Sequence, residues 1–264
     1  MNLSISNIAW PDNMDEKIYN LMTRYGYTGL EIAPTRIIAD NPYESNEKAS
    51  SWATKLFTDH GLCVPSMQSI WYGRAENIFS SEEERIALTE YTKKAIDFAK
   101  AIGCRNLVFG CPRNRNNLYN QKVDCVIDFF REIGDYAVSL GAVIGLEANP
   151  PIYNTNFINT TLDAIDFIRE VDSEGLKLNL DVGTMLHNNE NIEELVGNVC
   201  HISHVHISEP GLIPIAKHVL HDELYTLLCE EDYSGYVSIE MSRQEDINII
   251  EGAMEYVSGK FGRD

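Results

Sequence analysis

Two kinds of hydrophobic pattern succeed one another along the chain, a short run alternating apolar and polar side chains and then a longer stretch of helical period. Alternation predicts strands at LSISNIA (3–9), GLEIA (29–33), LCVPSMQS (62–69), NLVFG (106–110), VIGLEA (143–148), LKLNLD (176–181), HISHVHISEP (201–210) and YVSIEM (236–241). Helical spacing predicts a first helix after Pro11 running to Tyr25, with Ile18, Leu21 and Met22 on one face, and a second across Trp52, Leu56 and Phe57. Further helices are expected from Ser81 to about Ile102, from Val123 to Leu140, from a cap near Thr160 or Thr161, from Ile192 to Val199, from Lys217 to Cys229 and from about Asp246 to Ser258. Gly26, Gly61, Gly103 and Gly141 stand where four of the helices should end. The stretches from Pro34 to about Ser45, IWYGRAENIF, CPRNRNN, NPPIYNTNFIN and VGTMLHNNEN read as loops.

Repeated strand-helix units in a chain of 264 residues predict an α/β fold, a closed parallel (β/α)8 barrel forming one domain over residues 1–264. An open doubly wound sheet is the alternative. It is disfavoured because no glycine-rich phosphate loop follows the first strand, and because polar residues recur on one face of strands in both halves.

Strand alternation puts Val143, Gly145 and Glu147 on one face, and likewise Lys177, Asn179 and Asp181, His204 and His206, and Ser238 and Glu240. The last residue of each set is Glu147, Asp181, His206 or Glu240. In a barrel these strand ends meet at one mouth, where three carboxylates and an imidazole would repel and desolvate at prohibitive cost without a cation. One divalent ion is therefore expected there, with Mn²⁺, Mg²⁺ or Co²⁺ suiting the oxygen-rich set and Zn²⁺ also allowed.

Glu31 and Gln68 end the second and third strands on the same face and are expected to bind substrate hydroxyls. Trp71, with Trp10 and Tyr72, could wall a sugar face or pack its own loop. Glu209, just past strand seven, reads either as a base beside the site or as a surface residue. His204 reads as a hydrogen-bonded lumen histidine, and His218 and His221 as surface histidines.

The formal charge of −19, from 40 acidic and 21 basic residues, opposes non-specific contact with nucleic acid or anionic lipid. No segment is apolar enough for a membrane span, and the N-terminal residues lack a secretory pattern, so a cytoplasmic location is expected. Six cysteines without paired spacing read as reduced thiols. Arginines nevertheless gather in the predicted mouth loops, at Arg36, Arg74, Arg113, Arg115 and Arg243. They suggest a ligand with an anionic end, held best by Arg113 and Arg115.

GLE, LNLDVG, HVHIS and SIE at strands five to eight, with the rest of the chain, resemble the xylose isomerase-like TIM barrels of the AP endonuclease family 2 superfamily, which includes sugar phosphate isomerases and epimerases. The resemblance implies one divalent metal on Glu147, Asp181, His206 and Glu240, with the two glutamates exchanging protons with a substrate carbon. Many relatives carry a histidine where this chain has Thr184, with His187 a candidate substitute, and an arginine where it has Leu212. The expected function is metal-dependent isomerisation or epimerisation of a sugar, sugar acid or sugar phosphate through an enediolate, in carbohydrate metabolism. A dehydratase of a keto-polyol is the alternative. An abasic-site nuclease would need further ligands where Gln68, Gly110 and Thr184 stand, and a non-catalytic barrel would have a broken ligand set. The partner expected is a small carbohydrate, with self-association left open.

Overall fold

The computed structural model describes residues 1–118 and 121–262. Its elements follow the order β1 (Asn2–Ser6), α1 (Asp15–Arg24), β2 (Gly29–Glu31), α2 (Pro34–Ile37), α3 (Asn46–His60), β3 (Ser66–Met67), α4 (Glu82–Ile102), β4 (Asn106–Phe109) and α5 (Asp124–Ser139). There follow β5 (Val143–Glu147), α6 (Thr161–Val171), β6 (Leu176–Asp181), α7 (Val182–Asn188), β7 (Ile202–Ile207), α8 (Val219–Glu230), β8 (Tyr236–Ile239) and α9 (Ile247–Phe261). All strand pairs are parallel, in the order β2-β1-β8-β7-β6-β5-β4-β3. The two ends of that sheet meet through the bridges Gly29↔Cys63 and Ile32↔Met67, which close the expected (β/α)8 TIM barrel.

The strand alternation sorts the side chains as the sequence predicts. Leu3, Ile5, Leu107, Phe109, Ile144, Leu146, Leu178, Leu180, Val205, Ile207, Val237 and Ile239 are buried on the apolar face against the helices. Polar side chains fill the lumen instead, including Ser4, Ser6, Asn106, Asn179, His204 and Ser238. On the side of β4, α5 and α6 the core is aromatic: Trp71, Phe109, Phe129, Phe130, Phe167 and Phe157 meet edge to face.

Differences from the predicted boundaries have local causes. β3 keeps only two residues because Pro65, inside the predicted run, has no N–H for the ladder, although its carbonyl accepts from the Asn106 N–H at 3.2 Å. The first strand ends at Ser6, and residues 7–9 form a 3₁₀ turn. VGTMLHNNEN is not a plain loop: Val182–Asn188 is a helix, started by the Asp181 carboxylate accepting from the Thr184 N–H at 2.5 Å. The helix expected from Ile192 to Val199 is a 3₁₀ segment over Ile192–Leu195. Thr160 caps α6 in a reciprocal capping box with Asp163.

Helix α5 reaches the turn before β6 through two glycines. A Cβ on Gly175 would lie 1.9 Å from the Gly134 carbonyl oxygen and 2.5 Å from its carbon, both rigid backbone. Gly175→Ala should therefore lower unfolding free energy by about 2–4 kcal/mol, because α5 must be pushed off the sheet. Urea denaturation of the two proteins checks this, and an unchanged midpoint would show that the contact yields freely.

Candidate metal centre at the barrel mouth

Neighbouring strands bring the four candidate ligands together. Asp181 pairs with His206 across β6 and β7, His206 pairs with Ser238 across β7 and β8, and Glu240 follows directly after β8. One ligand atom from each of Glu147, Asp181, His206 and Glu240 falls in a group spanning no more than 4.8 Å. His206 is fully buried, and its Nδ1 lies 3.0 Å from Glu147 Oε1 and 3.3 Å from Glu240 Oε2.

A ring of neutral donors orients the carboxylates. Glu147 accepts from Asn179 Nδ2 at 2.9 Å and from Asn149 Nδ2 at 3.1 Å, while Glu240 accepts from Gln68 Nε2 at 2.9 Å. Asp181 accepts from the Ser208 hydroxyl at 2.7 Å, and the same hydroxyl oxygen accepts from the Gly183 N–H. Beneath the ligands, Glu31 Oε2 lies 2.9 Å from the Nε2 atoms of both His204 and His206.

Electrostatics separates these groups. Burial works against the Glu31 charge, yet His206 and His204 beside it hold its carboxyl well below the usual carboxylate range. Burial likewise opposes a charge on His206, but Glu31 and Glu240 hold the imidazole well above its usual range. Asp181 is pushed up to about 7 by burial and then by repulsion from Glu147 and Glu240, and burial also raises Glu240.

The donor set fits a divalent cation. His206 donates from Nε2 to Glu31 while Nδ1 faces two carboxylates, so a cation could replace the Nδ1 proton without disturbing the Glu31 bond. One imidazolium cannot balance four carboxylates, and the upward displacement of Asp181 and Glu240 records that excess. Oxygen donors suit Mn²⁺, Mg²⁺ or Co²⁺.

Glu147, Asp181 and Glu240 open on a cavity of about 190 Å³, lined also by Gln68, Ser69, Val108, Cys111, Pro112, Asn149, Tyr153 and Leu212. Its roof is tied across loops: the Gly211 N–H donates to the Tyr153 hydroxyl at 2.9 Å, and the Leu212 carbonyl accepts from the Ser242 N–H at 2.7 Å.

The structure does not bring every expected substrate residue to this cavity. Gln68 reaches it, but Glu31 lies beneath the ligands, engaged with the two histidines. Trp71 is a core residue: its indole N–H donates to Thr92 and its ring packs on Phe109, so no face is left for a sugar. Arg113 is exposed on its loop, and Arg115 is fully buried with Nη2 on Asn149. Arg36, Arg74 and Arg243 pair with Asp15, Glu76 and Glu245. The expected cationic patch is thus absent from the cavity lining. His187 sits half-buried on α7 outside that lining, and Glu209 turns away from it, accepting from the Ala216 N–H and His218 Nε2, both at 2.8 Å. Asn149 and Tyr153, which do line the cavity, were missed as site residues: they carry no strand periodicity, and their position just after Glu147 is the signal that could have found them.

The chain belongs to the xylose isomerase-like TIM barrel family, whose model matches residues 20–258. No curated protein sequence matches it. Solved structures over its whole length include a 3-keto-D-glucoside 4-epimerase from E. coli (TM-score 0.79, 21% identity, 98% of this chain and 99% of that one). A D-psicose 3-epimerase from Clostridium cellulolyticum H10 superposes with TM-score 0.77 at 15% identity, covering 100% and 98% of the two chains. The probable 3-DHS dehydratase from Bacillus anthracis gives 0.73 at 18%, covering 98% and 99%. At these identities the likeness carries the fold.

Of the two histidines after strand seven, His218 is half-buried and His221 is not on the surface as expected. His221 is fully buried, its Nδ1 2.8 Å from the Tyr256 hydroxyl and its ring edge-on to those of His218 and Phe261. Burial first, then His218 and Lys260, pulls its pKa from 6.5 down to about 4. The unfolded chain thus binds this proton more readily, so the neutral imidazole's contribution is complete above pH 6.5 and is lost as pH falls toward 4. Unfolding free energy should drop by about 3 kcal/mol from this group over that window, and His221→Gln should flatten the drop. Identical pH slopes in the two proteins would place the acid sensitivity elsewhere.

Proposed function

We propose that the protein is a divalent-metal-dependent epimerase or isomerase of a keto-sugar, with Glu147, Asp181, His206 and Glu240 holding the ion. The observation that carries this reading is the placement of Glu147 and Glu240 at 3.0 and 3.3 Å from one imidazole nitrogen, both lining the same small cavity. Proton removal from a carbon and return to it needs two such bases, each held in place and each facing the substrate. The bound ion would supply Lewis-acid polarisation of a carbonyl and its neighbouring hydroxyl, making the proton between them acidic. Glu147, steadied by Asn149 and Asn179, and Glu240, steadied by Gln68, then take and give that proton. The names of the two structural neighbours that are sugar epimerases support the same class.

The cavity also bears on the substrate's charge. Among the described residues no lysine or arginine lines it, and its carboxyl groups are those of Glu147, Asp181 and Glu240. A phosphate or carboxylate there would meet repulsion without a counter-charge beyond the ion itself, so an uncharged keto-sugar is favoured over an anionic one. Asn149, Gln68 and Ser69 offer neutral hydrogen-bonding groups for hydroxyls, and Val108, Pro112, Tyr153 and Leu212 offer apolar contact for carbon faces.

Adding Mn²⁺ to metal-free protein should raise its thermal midpoint, and Asp181→Asn should weaken that response about tenfold or more. Incubating the Mn²⁺-loaded protein with neutral ketohexoses in deuterated water should place solvent deuterium in an isomeric product. Glu147→Gln and Glu240→Gln should each lower turnover by about 10²-fold or more, with the ion still bound through the amide oxygen. Loss of water from the substrate would instead identify a dehydratase. Near-normal rates in both variants would remove the two-base mechanism.

A further inference from the structure

We propose that Arg115 is a positioning residue for Glu147, acting through the side-chain amide of Asn149; this rests on the metal-dependent reading above. Arg115 is fully buried, and among the described residues its guanidinium makes one hydrogen bond, from Nη2 to Asn149 Oδ1 at 2.8 Å, while Nε and Nη1 are buried without partners. A buried cation with two unmet donors is a costly device for folding alone. It is carried on the 3₁₀ turn Pro112–Arg115, which the chain enters through Cys111 in the left-handed region at φ 42°.

The geometry shows what the guanidinium accomplishes. An asparagine amide has one accepting and one donating end, so a donor fixed at Oδ1 commits Nδ2 to the opposite direction. That Nδ2 donates to Glu147 Oε2 at 3.1 Å and to the Ala148 carbonyl at 2.9 Å. The rest of Asn149 is anchored independently, its N–H on Ile158 O at 3.1 Å and its carbonyl on Asn159 Nδ2 at 2.8 Å. With the backbone fixed, the remaining freedom is rotation of the amide, and a flip would turn its oxygen toward the carboxylate. Arg115 prevents that flip, because guanidinium offers donors only.

Glu147 has little other support on this side. Gly110 beside it leaves room where a Cβ would come within 2.8 Å of Oε2, so the carboxylate rests against open backbone and the Asn149 amide. The amide beside Glu240 is set without an arginine: Gln68 Nε2 also donates to the Ser6 hydroxyl, and its Oε1 accepts from the Ser69 hydroxyl at 3.1 Å. The arginine thus serves one of the two glutamates, and Asn149 stands between it and the substrate cavity. Charge attraction between Arg115 and Glu147 acts in the same sense.

The test uses Mn²⁺ alone as the probe. Titration calorimetry on the metal-free full chain should show Arg115→Met and Asn149→Ala each weakening Mn²⁺ binding by about ten- to a hundredfold, the range for groups that orient a ligand. The double variant should be no weaker than the weaker single, since both break one chain of contacts. Arg115→Lys, which keeps a charge and a donor but loses the fork, should recover part of the loss. Circular dichroism confirms folding in each case; should Arg115→Met not fold, Arg115→Lys and Asn149→Ala decide, both being expected to bind Mn²⁺ more weakly than the wild type. Wild-type affinity within twofold in a folded Arg115→Met or Asn149→Ala, or in Arg115→Lys where the Met variant does not fold, overturns the proposal, as does a double variant whose loss multiplies the two single losses. Failure of the wild type to bind Mn²⁺ overturns the metal-dependent reading and this inference with it.

Discussion

Four carboxylates crowd around one imidazole inside the barrel, and the architecture near the mouth follows from holding them there without cancelling their charge. Glu31, Glu147 and Glu240 all approach His206, and Asp181 completes the ligand group. The partners that orient these oxygens are mostly neutral: the amides of Asn149, Asn179 and Gln68, the hydroxyl of Ser208 and the backbone N–H of Thr184. Neutral donors fix direction yet leave net negative charge, whereas lysines or arginines in the same places would have formed closed salt bridges. On the metal-dependent reading, a site built this way would attract a cation.

Much of that arrangement was legible because strand alternation is a strong and local signal. Glu147, Asp181, His206 and Glu240 each end a run whose apolar partners face the helices, so their convergence needed only the barrel's closure. Side chains in the mouth loops escaped the same reasoning, since no period governs them. Trp71 looked available as an aromatic in a loop, but Thr92 and Phe109 draw it into the core. The segment after Asp181 looked like a loop because its polar residues hide about two helical turns, whose cap is Asp181 itself.

Arginines were the least legible of all. A guanidinium sits several bonds from its backbone, so its position in sequence says little about where its charge ends. In a chain with 40 acidic and 21 basic residues an acidic partner is seldom far away, and Arg36, Arg74 and Arg243 each find one within their own neighbourhood. The patch inferred from their clustering dissolves into separate pairs, and the cavity keeps a negative wall.

His206 couples the two halves of that wall. Its Nε2 is committed to Glu31 below, which sets the ring plane, and its Nδ1 then faces both Glu147 and Glu240. The glutamates are not equivalent in their surroundings. Glu147 is held at both oxygens, by Asn179 on one and Asn149 on the other, whereas Gln68 holds Glu240 at Oε1 and is itself shared with Ser6 and Glu31. Burial raises the Glu240 carboxyl above its usual range. The difference in support comes from the strands that carry the amides: Asn149 just after β5 and Asn179 on β6 serve Glu147, whereas Gln68 just after β3 serves Glu240.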